Sequence, residues 1–322
     1  MTEDAARLRT SPILAAPGSG TGRTGAPTRL ASRAMAGRTG PVLVVLAVLL
    51  AAWYAGAVLL NWQTSGDRLA RENPSYTTSD LVAATLSSER PILPAPHQVV
   101  AEVWRTTVQV WPTSPRSLLF HAQVTLTSTL LGFVLGTLLG IVLAVGILNS
   151  RTLDKSLMPW LIASQTIPIL AIAPMIVVVL ASVGVSGLLP KAIISTYLSF
   201  FPVAVGMVKG LRSPDVMHLD LMRTYAASKG QVLAKLRLPA SLPFLFASMK
   251  VAVAAALVGA IVGELPTGAQ AGLGARLLAG SYYGQTIQIW SALVAASVLA
   301  AILIALVGLA ERLIGKRMGA RA

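Results

Sequence analysis

Residues 124–148 read VTLTSTLLGFVLGTLLGIVLAVGIL, an apolar run without one charged side chain. A bilayer core about 30 Å thick is crossed by ~20 apolar residues at 1.5 Å rise each. This stretch is long enough to cross it as a single helix. Apolar runs of the same kind lie on both sides of it, at Val42–Leu60, Leu188–Val208, Phe244–Val262 and Ile287–Leu309. Leu157–Val183 is equally apolar but interrupted by Pro159, Pro168 and Pro174. Membrane helices tolerate proline where neighbours re-satisfy the freed backbone groups. The expected fold is therefore an all-α membrane protein of about six transmembrane helices.

Composition agrees. Of 322 residues 54% are hydrophobic and only 12% charged, with a mean hydropathy of +0.70, whereas soluble domains carry roughly a quarter charged residues. The absence of cysteine excludes disulfides, thiolate metal sites and thiol nucleophiles. No small-residue cleavage site follows Leu60, so the first run is expected to stay as a helix rather than act as a signal peptide.

The formal charge of +14 would suggest nucleic acid in a soluble protein. Its placement argues otherwise. With six spans, 18 of the 26 Lys and Arg fall on the side holding both termini and 7 on the other, Lys250 lying inside the fifth run. Only Lys and Arg set orientation, so both termini are expected in the cytoplasm and nucleic acid is not expected as a partner. The chain then divides into a disordered basic N-terminus (1–40), a first transmembrane helix (41–61), an outer segment (62–120), a core of five helices (121–312) and a basic tail (313–322). The outer segment contains an amphipathic stretch, His97–Val110, expected along the membrane surface. Within the first core helix, Gly132, Gly136 and Gly140 share one face, a pattern that lets another backbone approach closely.

The most informative connection is 213–243, SPDVMHLDLMRTYAASKGQVLAKLRLPASLP. Ser213, Pro214 and Asp215 read as a helix start, with Ser213 as the cap. Met217, Leu221 and Tyr225 then form an i, i+4 stripe. Ser228 and Gln231 make a second capping box, and Pro239 is expected to end that helix. Two short amphipathic helices joined at a bend would protrude from the membrane.

This loop resembles the Glu-Ala-Ala signature of bacterial ABC import permeases, which runs Glu-Ala-Ala, three residues, Gly, nine residues, Ile-x-Leu-Pro. Leu236, Leu238 and Pro239 match its end, Asp220 stands at the Glu, Leu221 and Met222 at the two alanines, and Ala226 at the Gly. The resemblance covers nearly all of residues 91–312. PILPAPHQVVAEVW at 91–104, TIPILAIAP at 166–174, Phe200-Phe201-Pro202, Gly210-Leu211-Arg212-Ser213 and Glu264 followed by Gly272-Leu273-Gly274 are similar to the nitrate/sulfonate/taurine-type branch. The third and fourth helices lean towards permeases for riboflavin, thiamine precursors and related pyrimidines. The resemblance implies a coupling helix that docks on ABC ATPase subunits, a periplasmic or lipoprotein substrate-binding protein, and a second permease copy or homologous chain in the cell inner membrane. It implies no cofactor and no metal.

Nothing in the chain reads as an enzyme. There is no phosphate loop, and His97, His121 and His218 are scattered. Candidates for the translocation pathway are Ser164, Gln165 and Thr166 beside Pro168, because polar groups at helix breaks line cavities, and Glu264 at the outer end of the fifth helix. A purely structural role for Glu264 would tie it to Arg276 or to helix-end donors. The alternative function, a secondary transporter without an ATPase, calls for an inverted repeat and membrane-embedded charges, and the sequence displays neither.

Overall fold

The structure, a computed structural model, describes residues 39–72, 75–266 and 271–317. The expected N-terminal disorder and the last residues of the tail lie outside them. Twelve α-helices occur among the described residues: α1 Thr39–Glu72, α2 Thr78–Leu86, α3 Pro96–Trp104, α4 Leu118–Asn149, α5 Arg151–Ser164, α6 Ile169–Ser182, α7 Leu188–Leu211, α8 Val216–Thr224, α9 Lys229–Val232, α10 Leu238–Glu264, α11 Leu273–Tyr282 and α12 Thr286–Arg317. A π-helical turn, Arg105–Gln109, extends α3, and another, Leu233–Arg237, joins α9 to α10.

Two compact units divide the chain, residues up to Ala52 and Trp53–Ala322. In the first, Val42, Leu43, Val45 and Leu49 in the described part of α1 are exposed, as suits a helix solvated by lipid.

The second unit is built around α7. Gly132 of α4 lies against Ser195 and the Ala192 carbonyl, Gly136 against Ser199, and Gly140 against Val203 and the Phe200 carbonyl. The small-residue face read from the sequence thus finds its partner in α7, and the rising register makes α4 and α7 parallel. On the other flank Gly259 meets Ser195, Gly206 meets Ser248, and Gly210 meets Ser241, so α10 runs antiparallel to α7. Phe133, Val203, Phe246, Val253 and Leu303 close a core among α4, α7, α10 and α12.

Five helices are long and apolar enough to cross a membrane, and α5 with α6 makes a sixth only as one broken span, bent by 98°. The third apolar run is therefore not one straight helix. Pro168 lacks the N–H needed to continue α5 and serves instead as the cap of α6. Because α4 and α7 are parallel, this bent pair must carry the chain from one end of the bundle back to the other.

Two local readings of the loop are corrected. Ser213 does not cap α8: its hydroxyl and N–H both go back to the Gly210 carbonyl, at 2.8 and 3.1 Å, closing α7, and Asp215 takes the cap position. Pro239 does not end a helix but sits in the first turn of α10. That position needs no N–H, and the wider π turn before it, in which the Leu238 N–H reaches the Leu233 carbonyl, absorbs the junction.

Candidate functional site

The loop between α7 and α10 is anchored at its roots and open at its tip. Arg237 donates to the Leu211 carbonyl at 2.8 Å, capping the end of α7. Arg212 pairs with Asp154 at the start of α5 at 2.9 Å. Leu233 and Leu238 pack on the cluster of Ile147, Leu161, Met207 and Leu211. Leu238 is thereby part of the bundle, and Leu236 is half-buried with it.

Beyond these anchors, α8 carries an apolar face with no cover among the described residues. Val216 is 67% exposed, Met217 77%, Leu221 53% and Tyr225 77%. The stripe read from the sequence is real, and it points outward. Asp220, on the same short helix, pairs with Arg223 at 2.8 Å; Met222 is half-buried. The chain then turns at Ala226, the one non-glycine with positive φ among the described residues, at +50°. This is the position at which the family signature has glycine, the residue that adopts a left-handed backbone without penalty. The predicted capping box follows, Ser228 N–H to Gln231 Oε1 at 2.8 Å and Gln231 N–H to Ser228 Oγ at 3.3 Å.

At the opposite end of the bundle lies a polar node. Glu264 is fully buried. It accepts the Thr125 hydroxyl at 2.9 Å and the Gly274 N–H at 2.8 Å, and Lys191 Nζ stands 3.9 Å away. The first turn of α11 supplies that N–H, where a carboxylate is favoured by the helix dipole. Thr125 Oγ1 accepts the Leu273 N–H at 2.8 Å, while His121 Nδ1 accepts the Gly272 N–H at 3.1 Å and its Nε2 donates to the Pro115 carbonyl at 2.9 Å. Of the two structural ties expected for Glu264, the helix-end donor is present. Arg276 instead faces Glu102, at 3.6 Å. Thr125, His121 and Lys191 were missed by sequence reasoning; the only signal was Lys191 as a lone charge in an apolar run.

Ser164, Gln165 and Thr166 form the α5–α6 break. Gln165 and Thr166 are exposed and Ser164 half-buried. Ser164 and Thr166 hydroxyls return to the Leu161 and Ala163 carbonyls, and the Tyr197 hydroxyl of α7 donates to the Ser164 carbonyl. The break and Glu264 thus meet α7 at different levels, Tyr197 and Lys191, about 9 Å apart along the helix axis. The fold does not gather them into one site. Lys250 pairs with Glu311 of α12 at 2.5 Å.

Comparison with known proteins bears on this arrangement. The chain is 35% identical over 194 residues to a probable ABC transporter permease protein of Haemophilus influenzae, covering 60% of this chain and 74% of that one. It is 33% identical over 194 residues to the formylaminopyrimidine transport permease protein ThiX of Halalkalibacterium halodurans, covering 60% and 72%. Over 223 residues it is 30% identical to the riboflavin transport system permease protein RibX of Chloroflexus aurantiacus, covering 69% and 79%. Residues 136–320, which hold the parallel α4–α7 pair from Gly136 onward, the exposed loop and Glu264, match the binding-protein-dependent transport system inner membrane component family. An all-α chain of apolar helices with a loop anchored at its roots and apolar at its tip is thus a permease of the ABC importer type, and it belongs to that family.

Proposed function

We propose that this permease carries a small organic solute inward across the inner membrane, driven by ATPase subunits that dock on α8. The observation that carries this reading is the uncovered apolar face of Val216, Met217, Leu221 and Tyr225, ending in the left-handed turn at Ala226. A helix-in-groove contact needs such a face. The anchors from Arg237 and Arg212 would pass a movement of α8 to α7 and α5. A substrate-binding protein would deliver the solute at the end bearing Glu264, and a second permease copy, or a related chain, would complete the pathway past Ser164, Gln165 and Thr166. In this reading both termini are cytoplasmic, the α5–α6 pair acting as one crossing. The relatives named for formylaminopyrimidine and riboflavin favour a heterocycle as the solute over a sulfonate- or nitrate-like anion.

The test pairs co-purification of the ATPase with substrate uptake in Asp220→Lys and Ala226→Trp variants, membrane abundance being checked for each. Loss of an interfacial charge contact costs about 2–5 kcal/mol, so docking should weaken by tens- to thousandfold. Arg68→Glu, which breaks only an exposed ion pair with Glu72, should be nearly silent. Full uptake and ATPase retention in both loop variants would reduce the loop to a solvated connector.

A further inference from the structure

Where α3, its π turn, α11 and α12 meet, a half-open cavity of about 640 Å³ is lined by Arg105, Arg116 and Arg276, with Gln109 and Gln288 among its other polar groups. One carboxylate, Glu102, faces the Arg105 and Arg276 guanidinium groups, and Arg116 also lines the cavity, leaving a surplus of positive charge. Arg105 holds Glu102 Oε2 through Nη2 at 2.6 Å and Nε at 3.0 Å. Arg276, only 9% exposed, donates from Nη1 to the Arg116 carbonyl at 3.0 Å and reaches Glu102 Oε1 at 3.6 Å. Its Nε is buried and without a hydrogen-bond partner, as is Glu102 Oε1.

A buried guanidinium N–H with no acceptor is unusual and calls for an explanation. Arg276 stays charged, because arginine is not deprotonated in proteins. Burial nevertheless pushes its pKa down from the ordinary range; Glu102 opposes this and Arg105 adds to it. An oxyanion in the cavity would supply the missing acceptor and balance the surplus charge. Planar guanidinium forks suit carboxylate, sulfate and phosphate groups.

We propose that this cavity is an oxyanion-binding site, built by Arg105, Arg116 and Arg276, in which Glu102 competes with the anion for the guanidinium groups. Its occupant is a phosphate-, sulfate- or carboxylate-bearing group, either on a free solute or on a phospholipid headgroup. The site lies within one chain and does not depend on ATPase docking or on which solute crosses.

The test uses the full-length chain purified in detergent. Sodium sulfate and inorganic phosphate are titrated against chloride at matched ionic strength, and the melting temperature is read. In parallel, phospholipid retention is read by native mass spectrometry from nanodiscs of phosphatidylcholine with and without phosphatidylglycerol. The oxyanion or the anionic lipid should stabilise the chain saturably. Arg105→Gln, at a largely exposed side chain, should weaken that binding about ten- to hundredfold. Glu102→Gln removes the competing carboxylate and should strengthen it. Saturation by sulfate or phosphate assigns a free solute, and retention of phosphatidylglycerol alone assigns a headgroup. If neither is preferred over chloride and phosphatidylcholine, or if Arg105→Gln changes nothing, the proposal is overturned.

Discussion

Thr125 and Glu264 stand 139 residues apart, yet the Thr125 hydroxyl donates to both carboxylate oxygens, at 2.9 and 3.1 Å, while accepting the Leu273 N–H. One hydroxyl thus joins α4, α10 and α11. Thr125→Val keeps the shape but leaves a buried N–H unmatched and removes a donor from the carboxylate. Each such loss costs about 1–3 kcal/mol, so the detergent-purified variant should melt several degrees lower. Glu264→Ala should be worse, because it strands the buried Lys191 charge, a loss of about 3–5 kcal/mol. Equal melting temperatures for Thr125→Val and wild type would show that the node contributes nothing to stability.

The glycines of α4 make a graded prediction. A Cβ on Gly132 would lie 2.2 Å from Ser195 Cβ and 2.8 Å from the Ala192 carbonyl; on Gly140 it would lie 2.8 Å from the Phe200 carbonyl. Backbone cannot move aside as a side chain can, so Gly132→Ala and Gly140→Ala should each destabilise by about 1–3 kcal/mol. Gly315→Ala in α12 meets nothing within 4 Å and should be neutral or slightly stabilising. Fluorescence-detected size exclusion after a heat step would rank the three, and a uniform ranking would contradict close α4–α7 packing.

Ala226 sits at φ +50°, a backbone that costs an L-residue roughly 1–2 kcal/mol. Ala226→Gly should relieve that strain and preserve uptake. Ala226→Val should deepen it and lower uptake, its branched side chain being least at home there. Hydrogen exchange across residues 216–232 would report the change directly. Slower exchange in the valine variant than in the glycine variant is the result that this account forbids.

Topology is testable because the chain has no native cysteine. Arg71→Cys and Tyr225→Cys place single thiols at exposed positions on α1 and at the end of α8. An impermeant maleimide added to intact cells should label residue 71 and not residue 225. Labelling of 225 alone would invert the proposed orientation, and labelling of both would contradict the six-crossing chain.

The features legible in the sequence were local ones. Apolar length located α1, α4, α7, α10 and α12, and the Ser228–Gln231 box and the Met217–Leu221–Tyr225 stripe were readable from spacing alone. Ser213 misled because the same hydroxyl that can start one helix can also finish the one before it, and only the position of the Gly210 carbonyl decides between them. Pro239 misled because proline forbids a helix interior but suits a first turn, and the π turn before it leaves no sequence mark of its own. The outer node was illegible for a different reason. His121, Thr125, Lys191, Glu264 and the glycines at 272 and 274 come from three helices and the start of α11, and no spacing connects them before the chain has folded.

Ser195 is pressed from one side by Gly132 and from the other by Gly259, and the same holds in outline along most of α7. For the freedom of the sequence to drift, this means that a change on α7 is read twice. A larger residue there must be accommodated by α4 and by α10 together, so a single compensating substitution in either neighbour cannot rescue it. On α1, Val42, Leu43 and Leu49 are exposed among the described residues, and any apolar residue serves there. Among variants of this permease, α7 should therefore hold its small residues almost unchanged, while the beginning of α1 is rewritten freely within the limits of hydrophobicity.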